Sequence, residues 1–560
     1  MVMRKNIRRN GEKMEQKFTF EKVTYTEPAP GWVDGVYYPR KEQCVKAEAP
    51  LPEAEGAGKG TLKIHSRVWQ EIEETGFGIY YYEETLRFMT ELSGTNYDVT
   101  VELENPTAEA YHCHIRVNGI VKVQGVEVAP GERKEVTFTA CMTDGQFGLT
   151  FATGCLEEIH DKVQESDIYV RNIKIEEAAE KQPRKTPRIF LVSDSTVQSY
   201  ERYFYPQTGW GQMLYQFFKG AEEYREYPAE HCDYSQGRTY ELPELVIENR
   251  AIGGRSARSF YDEGKLDQVL EVICPGDYMF VQFAHNDATA IRPNRYIAPE
   301  EFQFFLQRYV DACARRKVQI VFVTPVTMLV PKEDGTNQLC FAEYREEMMK
   351  LAEREKLPLL DLGGRSNDYV NKIGNEAGKS IYLWLDEGEY PDGAYAGGVS
   401  DKCHLQEYGA KVYADMVAAM ISESQDDRLE ILKELVRPVE VSTIAKPQIR
   451  RDAQGKKKAE APDAVKSFVV QEISIQNGQG SFLLNWNPVE GAASYNVYGR
   501  RQEELTFQVV RNVTAEEKEK NPVLPFTAPA GAVWKYYVTA VFENGREGSA
   551  SRVQEVNLLS

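Results

Sequence analysis

The sequence predicts a multidomain protein in which a central α/β domain with a parallel sheet is flanked by two all-β sandwich domains. Its 560 residues are more than one hydrophobic core usually serves. The hydrophobic pattern also changes twice along the chain, from short alternating segments to nearly continuous apolar runs and back again. We predict a first β-sandwich at 17–180, the α/β domain at 186–424, a linker at 425–464 and a second β domain at 465–560.

The first predicted domain consists of short strands. Apolar and polar residues alternate at 97–104, 112–117 and 135–140, and glycine and proline separate these segments. This pattern is typical of an all-β sandwich. The domain resembles galactose-binding-like and carbohydrate-binding modules, and a sugar-binding role and a purely supporting role are equally open. The pair His112 and His114 follows the same alternation, which favours a strand over a metal site.

The central domain is predicted from apolar runs that alternate with helical segments. The runs lie at 189–192, 278–283, 318–325 and 357–362, and the clearest helical segments at 299–316 and 342–355. Nearly continuous apolar runs indicate strands that are buried on both faces of a parallel sheet. Alternation of such strands with helices predicts an α/β sandwich with right-handed crossovers.

The last part of the chain is again predicted to be β. Strand-like segments at 482–488, 493–499 and 535–541 follow one another at the spacing of a sandwich, and Trp486 lies in the first of them. This part closely resembles a fibronectin type III domain, which implies a spacer or docking module. The preceding stretch has little periodicity, which is why 425–464 is interpreted as a linker.

Composition excludes several classes of function. The net charge of −19 argues against a nucleic-acid partner, because phosphate contacts need clustered Lys and Arg. No apolar run approaches the ~18 residues of a membrane span, and no apolar run follows the basic N-terminal residues. We therefore expect a cytoplasmic protein, or a secreted one if a signal segment has been removed. The nine cysteines lack CxxC spacing and are odd in number, which predicts reduced thiols.

A candidate catalytic pair follows from the histidines. Asp401 precedes His404 by three positions; on a loop that runs into a helix, this spacing can bring the carboxylate to one imidazole nitrogen and leave the other free. Ser195 follows directly after the strand at 189–192, where sites form in open α/β sheets. If Ser195 opened a helix, its hydroxyl and N–H could face the same cavity. Each signal is weak alone: the D-x-x-H spacing is common, and helix capping by itself explains Ser193, Ser195 and Thr196 better than catalysis does.

Two further segments supply hydrogen-bond donors. Gly253 and Gly254 allow a backbone N–H to approach an oxyanion closely, and Asn286 follows another apolar strand. With the N–H of the nucleophile, these groups meet the requirement for stabilising a tetrahedral acyl intermediate.

Together the four blocks resemble the SGNH hydrolases. Their order is D-S-T at Asp194, N-x-A-x-x-G-R-S-x-R at Asn249, H-N-D at His285 and D-x-x-H at Asp401. Among SGNH hydrolases the blocks look most like those of rhamnogalacturonan acetylesterases, over residues 188–424. The resemblance implies a flavodoxin-like central domain.

The same resemblance implies the roles of the site residues. Ser195 would be the nucleophile, and His404 would be the base that Asp401 orients. Gly254 and Asn286 would complete the oxyanion hole with the N–H of Ser195. Gly254 is preferred to Gly253 because the family glycine directly precedes the R-S pair.

The sequence departs from the family pattern at two small residues. Ser193 and Ala284 stand where the family has glycine, which leaves every reacting group in place. A third difference is the segment 219–245, rich in Glu and Tyr, which could cover or extend the substrate cleft.

For other polar residues near the blocks, a purely structural role is an alternative to a role in catalysis or binding. Asp194 and Asp287 are expected to brace loops, and His285 to position the nucleophile loop. Arg255 and Arg258 could grip a uronate carboxylate or pin their own loop to nearby carboxylates. Trp210 could be a sugar platform or a core residue.

The predicted function is the removal of acetyl groups from a plant cell-wall polysaccharide or its oligosaccharides, with rhamnogalacturonan or pectin before xylan. No metal or organic cofactor is needed. Two alternatives remain, an SGNH esterase or lipase acting on a non-carbohydrate ester and a non-catalytic glycan-binding protein. The predicted partner is the acetylated glycan, without nucleic acid or membrane, and the oligomeric state is left open.

Overall fold

A computed structural model describes residues 19–28, 41–43, 61–72, 79–92, 94–118, 120–142, 145–153, 164–292, 295–504 and 506–559. Within these residues the chain forms an N-terminal antiparallel β sandwich, a central α/β domain and C-terminal β sheets, so the predicted multidomain fold class is confirmed. Cys44 and Cys155, predicted to be thiols, lie outside the described residues. The described cysteines are free thiols.

The N-terminal domain is an antiparallel sheet that curls over one core. Its strands in spatial order are β7-β6-β9-β4-β3-β10-β5-β8, and β1 joins β2 to β4. Their bounds are β1 (Thr19–Pro28), β2 (Lys41–Gln43), β3 (Leu62–Ile72), β4 (Ile79–Glu91), β5 (Asn96–Glu104), β6 (Tyr111–Val117), β7 (Ile120–Val128), β8 (Arg133–Cys141), β9 (Gln146–Ala152) and β10 (Gln164–Glu177). Val101 of β5 and Ile115 of β6 belong to the same buried core although their strands are distant in the sheet, so the sheet forms two facing layers.

The central domain has a seven-stranded sheet in the order β12-β13-β14-β11-β15-β16-β17. The strands are β11 (Arg188–Val192), β12 (Arg225–Pro228), β13 (Arg238–Glu241), β14 (Val246–Asn249), β15 (Tyr278–Val281), β16 (Gln319–Val323) and β17 (Leu359–Leu360). β14, β11, β15, β16 and β17 are parallel, whereas β12 and β13 form an antiparallel edge. In chain order the five parallel strands run 2-1-3-4-5, which is the flavodoxin-like arrangement.

Helices cover both faces of this sheet. They are α1 (Trp210–Met213), α2 (Ala257–Asp262), α3 (Lys265–Val272), α4 (Pro299–Arg315), α5 (Ala342–Glu355), α6 (Leu362–Ile373), α7 (Asn375–Gly378), α8 (Glu407–Glu423) and α9 (Glu430–Leu435). Alternate residues of β11 serve the two layers, since Leu191 joins the core under α1 and α8 while Phe190 joins the core under α2 to α5. A separate hairpin, β18 (Tyr382–Leu385) and β19 (Val399–Leu405), precedes α8.

The stretch 425–464, expected to be a linker, packs against the central domain. Leu429, Leu432 and Leu435 are buried in the core under α8 because they form the apolar side of α9 and of the short turn before it. Farther on, the strands β20 (Ile449–Arg451) and β21 (Lys457–Ala459) form a hairpin, and Ala459 N donates to Glu389 O at 2.8 Å. These elements are shorter than two helical turns. They are therefore too short to show a clear hydrophobic period, and the sequence did not indicate them.

The C-terminal domain consists of two antiparallel sheets around one core. Its elements are β22 (Val469–Gln476), β23 (Gln479–Asn485), β24 (Ala492–Arg501), β25 (Gln508–Thr514), α10 (Ala515–Lys520), β26 (Val523–Pro529), β27 (Val533–Phe542) and β28 (Gln554–Asn557). The sheets are β22-β23-β26 and β25-β24-β27-β28. Trp486 is 2% exposed at the centre of their core, which fits the fibronectin-like pattern in the sequence.

The N-terminal domain docks at the end of the central sheet where the strands begin. The guanidinium of Arg316, between α4 and β16, donates to Thr95 O at 2.8 Å, Asn96 Oδ1 at 2.9 Å and Met142 O at 3.2 Å. Lys122 pairs with Glu271 near the C-terminus of α3. Since these contacts precede β15 and β16, the first domain lies away from the carboxyl ends of the strands.

Candidate active site

Three predicted site residues follow three neighbouring strands. Ser195 lies after β11, Gly254 after β14 and Asn286 after β15. β11 lies between the other two strands in the sheet; the chain leaves β11 toward β14 on one side and leaves β15 toward β16 on the other side. This switch point is where open α/β sheets form a crevice for ligands.

Ser195, His404 and Asp401 form one chain of hydrogen bonds. Ser195 Oγ lies 3.0 Å from His404 Nε2, and His404 Nδ1 lies 2.6 Å from Asp401 Oδ2. The second carboxylate oxygen, Oδ1, accepts from the backbone N–H groups of Cys403 at 2.7 Å and His404 at 3.0 Å. With Nδ1 protonated toward the carboxylate, Nε2 is free to take the serine proton.

The environment keeps Asp401 ionised. Burial raises the pKa of its carboxyl. The hydrogen bond from His404, the charge of that ring and the two backbone donors together lower the pKa by more, so that the net pKa is about 2. A carboxylate that holds its charge at this position stabilises an imidazolium on His404.

The local structure around these residues differs from the expectation in two ways. Ser195 does not open a helix, because it lies in a single turn in which Val197 N and Gln198 N both donate to Asp194 O. The next turn is not formed, since Thr196 O accepts from Trp210 N and Tyr200 N donates to Gln212 Oε1. Asp401 and His404 lie within strand β19 and not on a loop.

The two neighbouring glycines have different tasks. Gly253 N donates to Gln198 Oε1 at 2.5 Å, and a Cβ at Gly253 would lie 3.5 Å from Ser195 Cβ, so the loop passes close to the serine. Gly254 has φ +78°, which suits glycine. Among the described residues no acceptor takes the N–H of Gly254 or of Ser195. The predicted oxyanion hole needs both of these N–H groups without a protein acceptor, and its assignment stays a prediction.

A buried arginine that the sequence did not indicate orients Asn286, the third predicted donor. Asn286 Nδ2 donates to Arg255 O at 3.0 Å, and Asn286 Oδ1 accepts from Arg295 at 2.7 Å. The same Arg295 nitrogen donates to Gly254 O at 3.0 Å. Arg295 therefore ties the amide of Asn286 to the glycine loop. It lies in a loop without periodicity, so nothing in the sequence distinguished it.

A network of buried side chains supports the turn that holds Ser195. Trp210 Nε1 donates to Gln282 Oε1 at 3.1 Å, Gln282 Nε2 donates to Thr196 Oγ1 at 2.8 Å, and Thr196 Oγ1 donates to Asp194 Oδ1 at 2.8 Å. Trp210 is 1% exposed, so it is a core residue and not a sugar platform. The sequence indicated no role for Gln282, and for Thr196 only that of a helix cap, because both are common polar residues at strand ends.

The aspartates beside the site brace backbone, as expected. Asp194 accepts from Thr196 N at 2.9 Å and lies 3.2 Å from His285 Nδ1. Burial raises the pKa of Asp194, but the facing His285 and the donors of Thr196 lower that pKa by a larger amount. The net shift of the pKa is therefore downward. Asp287 Oδ1 accepts from Ala257 N at 2.9 Å. Desolvation raises the pKa of Asp287 well above its ordinary value, and the charge of Asp194 adds to that effect.

His285 contacts Asp194, which directly precedes Ser195. Its Nε2 lies 3.1 Å from Val326 O, and its ring packs 4.5 Å from the ring of Phe341. Both ring nitrogens thus face acceptors within the protein, which fits a positioning role better than that of a base.

Arg255 and Arg258 both pair with carboxylates of their own chain. Arg255 Nε and Nη2 each lie 2.9 Å from Glu263 Oε2, and Arg255 Nη1 donates to Gly253 O at 3.0 Å. Arg258 Nε lies 3.2 Å from Asp262. These contacts fit the alternative in which the two arginines pin their own loop to nearby carboxylates, and not the one in which they bind a uronate. Ser256 between them caps α2 in a capping box with Ser259.

The segment 219–245 reaches the site through Gln198. Tyr234 Oη donates to Gln198 Oε1 at 3.0 Å, and Gln198 Nε2 donates to Gln236 Oε1 at 3.1 Å. Since the same Gln198 oxygen accepts from Gly253 N, the segment supports the glycine loop.

The two departures from glycine are accommodated differently. Ser193 is 1% exposed and its hydroxyl donates to Gln282 O at 2.5 Å, so it links β11 to the residue after β15. Ala284 has φ +153°, in the region that favours glycine, so its backbone is strained directly before the H-N-D block.

In the part of the chain that the structure describes, no three His, Cys, Asp or Glu side chains are grouped to hold a metal ion. None of the described helices combines the length and hydropathy needed to cross a membrane.

The flavodoxin-like strand order and the four ordered blocks place the central domain among the SGNH esterases. No family model matches the chain. The rhamnogalacturonan acetylesterase RhgT of Bacillus subtilis is 31% identical over 240 residues, which is 43% of this chain and 91% of that protein. The probable rhamnogalacturonan acetylesterase YesY of the same organism is 32% identical over 237 residues, 42% of this chain and 92% of that protein. Over this part of its length the chain belongs to the rhamnogalacturonan acetylesterase family.

The crystal structure of Bacillus subtilis YxiM covers 60% of this chain and 80% of its own, with 24% sequence identity and a TM-score of 0.34. At that score it adds no weight to the fold, which rests on the strand order.

Proposed function

We propose that this protein is a serine esterase that removes O-acetyl groups from plant cell-wall polysaccharide or its oligosaccharides, with acetylated rhamnogalacturonan before xylan. The observation that carries the proposal is the hydrogen-bonded chain of Ser195, His404 and Asp401 at the switch point of the sheet. The substrate class rests on the family, since RhgT is named as a rhamnogalacturonan acetylesterase and is matched over 91% of its length.

The first half of the proposed reaction transfers the acetyl group to Ser195. His404 Nε2 takes the hydroxyl proton as Ser195 Oγ attacks the acetyl carbonyl carbon, which gives a tetrahedral oxyanion. The bond to the sugar oxygen then breaks, and that oxygen takes the proton from His404. The products are the free sugar hydroxyl and acetyl-Ser195.

The second half regenerates the enzyme. Water gives a proton to His404 and attacks the acetyl carbon, and the second tetrahedral intermediate collapses with release of acetate and return of the proton to Ser195 Oγ. Asp401 stays ionised throughout, because its pKa of about 2 lies far below neutral pH.

The oxyanion in both halves would be held by the N–H groups of Ser195 and Gly254 and by the amide of Asn286. Two of these donors lack acceptors within the described residues, and the third is oriented by Arg295. Donors fixed before the reaction stabilise the developing charge without reorganisation.

Acetate release from acetylated pectic, xylan and mannan oligosaccharides tests the proposal, with the wild type compared with Ser195→Ala. We expect release from the pectic substrate first, and none above background from the variant. Release by the variant at the wild-type rate would contradict the role of Ser195. Release from xylan but not from pectic substrates would move the substrate to xylan. If neither these nor p-nitrophenyl acetate are cleaved, the glycan-binding alternative takes its place.

A further inference from the structure

One segment connects the two halves of the candidate catalytic array. It comprises residues 200–208, which we call the bridge segment. At its start, Tyr200 Oη donates to Ser195 O at 2.8 Å. At its end, Thr208 N donates to Leu405 O at 3.1 Å, directly after His404. The bridge segment therefore contacts the backbone of the serine at one end and the strand of the histidine at the other.

The middle of the bridge segment contacts the loop that leads into β19. Ala394 N donates to Tyr203 O at 2.9 Å, and Tyr395 hydrogen-bonds to Gln207. A Cβ at Gly393 would lie 2.5 Å from the same Tyr203 oxygen, so the two backbones are in close contact. These contacts connect the backbone of Tyr203 to the loop before the strand that carries Asp401 and His404.

The C-terminal domain holds the bridge segment at Tyr203. The ring of Tyr203 stacks on Tyr537 of β27, with centroids 5.4 Å apart and planes at 15°, and it lies 5.2 Å from the ring of Phe507. Tyr537 is 1% exposed and Phe507 7% exposed, so this contact is a buried cluster and not a surface touch. Successive side chains of β27 point to opposite faces of the sheet. Tyr536 therefore joins the core of its own domain, while Tyr537 faces the central domain.

Backbone contacts place the same domain against the edge of the central sheet. Glu226 N of β12 donates to Asn544 O at 2.7 Å. A Cβ on Gly545 would collide with Glu226 O, so the two chains are in direct contact there. The C-terminal domain is thus packed on the catalytic domain at two places.

We infer that the C-terminal domain is a structural part of the catalytic centre and that Tyr203 is the positioning residue through which it acts. The inference rests on the proposed esterase activity. It replaces the spacer or docking role that a fibronectin-like module implies. Stacking on Tyr537 fixes the bridge segment, and the fixed segment holds Ser195 and His404 at hydrogen-bonding distance.

The test uses the full chain with Tyr203→Leu, Tyr203→Phe and Tyr537→Leu. The matched control is Phe482→Leu, which removes a buried ring from the core of the same domain without touching the bridge segment. Each variant is assayed below its melting temperature for hydrolysis of p-nitrophenyl acetate and for the rate of inactivation by diethyl p-nitrophenyl phosphate, which reports the reactivity of the serine directly.

We expect both leucine variants at the stacking contact to lose about tenfold or more in kcat and in inactivation rate, with KM changed less than about twofold. Tyr203→Phe should retain wild-type values because the ring remains. Wild-type rates in Tyr203→Leu and Tyr537→Leu would overturn the inference. An equal loss in Phe482→Leu would overturn it too, since the effect would then follow domain stability. A wild type that neither hydrolyses the ester nor reacts with the phosphate would instead contradict the proposed function.

Discussion

Arg295 shows most clearly what the sequence could not reveal at the scale of single residues. The residues proposed as nucleophile, base, orienting carboxylate and oxyanion donors could be named from the sequence because four motifs carry them in a fixed order. Arg295 belongs to no motif, and its partners Gly254 and Asn286 become its neighbours only when the loops after β14 and β15 meet. Arg295 is only 5% exposed, which is rare for a charged side chain, and this burial also cannot be predicted from the sequence.

The first prediction concerns the donor that Arg295 orients. Asn286→Ala should lower kcat by about 10²–10³-fold and leave the protein folded, because one oxyanion donor is lost. Acetate release measured beside a melting curve checks both parts. Wild-type activity in this variant would contradict the assignment of Asn286.

The second prediction tests Arg295 itself. Arg295→Met should lower kcat by about tenfold or more through misorientation of Asn286, and in the double variant with Asn286→Ala it should add little, since both changes remove the same interaction. Steady-state kinetics of the two single variants and the double variant measure the coupling. Full additivity would show that Arg295 does not act through Asn286.

The third prediction concerns Asp287. Its folded-state pKa is raised by burial, so folding favours the protonated carboxyl, and its contribution to stability is lost as the pH rises above the ordinary value of 3.8. Asp287→Asn keeps an acceptor for Ala257 N and does not titrate. The variant should therefore gain stability relative to the wild type as the pH is raised from about 4 to about 8. Urea unfolding at both pH values measures the difference, and a difference independent of pH would contradict the neutral form of Asp287.

At the scale of elements, long periodic segments were predicted well and short ones poorly. The helical segments at 299–316 and 342–355 correspond to α4 and α5 within one residue. The helix that Ser195 could have opened does not form, because side chains and distant backbone take the hydrogen bonds that a second turn would need. Such competition depends on Trp210 and Gln212, which are distant in the sequence and therefore invisible to local propensity.

The fourth prediction concerns the end of β15. Ala284 is fully buried and has φ +153°, so glycine should relieve strain of about 1 kcal/mol or more at the loss of one methyl group, roughly 0.8 kcal/mol. Ala284→Gly should therefore be close to neutral in stability. Ala284→Val should cost about 3 kcal/mol, because a branched side chain adds strain and crowds a filled core. Equal losses of unfolding free energy in the two variants would show that the backbone at Ala284 is relaxed.

At the scale of the whole molecule, the flanking domains contact opposite parts of the central sheet. The N-terminal domain binds through Arg316 where the strands begin, while the C-terminal domain contacts the bridge segment near their carboxyl ends. The sequence predicted both domains from their strand patterns. It could not predict their different positions, because an interface depends on which alternate residues face outward, as Tyr537 does.

The fifth prediction separates the two domains. Arg316→Met removes the contacts to Thr95, Asn96 and Met142, and it should lower the melting temperature by several degrees without changing kcat for p-nitrophenyl acetate by more than about twofold. Differential scanning calorimetry and steady-state kinetics measure the two effects. A large loss of kcat would show that the N-terminal domain acts on the site.

The most direct test of the central claim is to label the protein with diethyl p-nitrophenyl phosphate and to locate the label by mass spectrometry. The account predicts one diethylphosphoryl group per chain, attached to Ser195, and no labelling of Ser195→Ala. It also predicts slow labelling of His404→Ala, because the base that activates the hydroxyl is gone. A label on another residue, or labelling of Ser195→Ala at the wild-type rate, would contradict the assignment of Ser195 as the nucleophile.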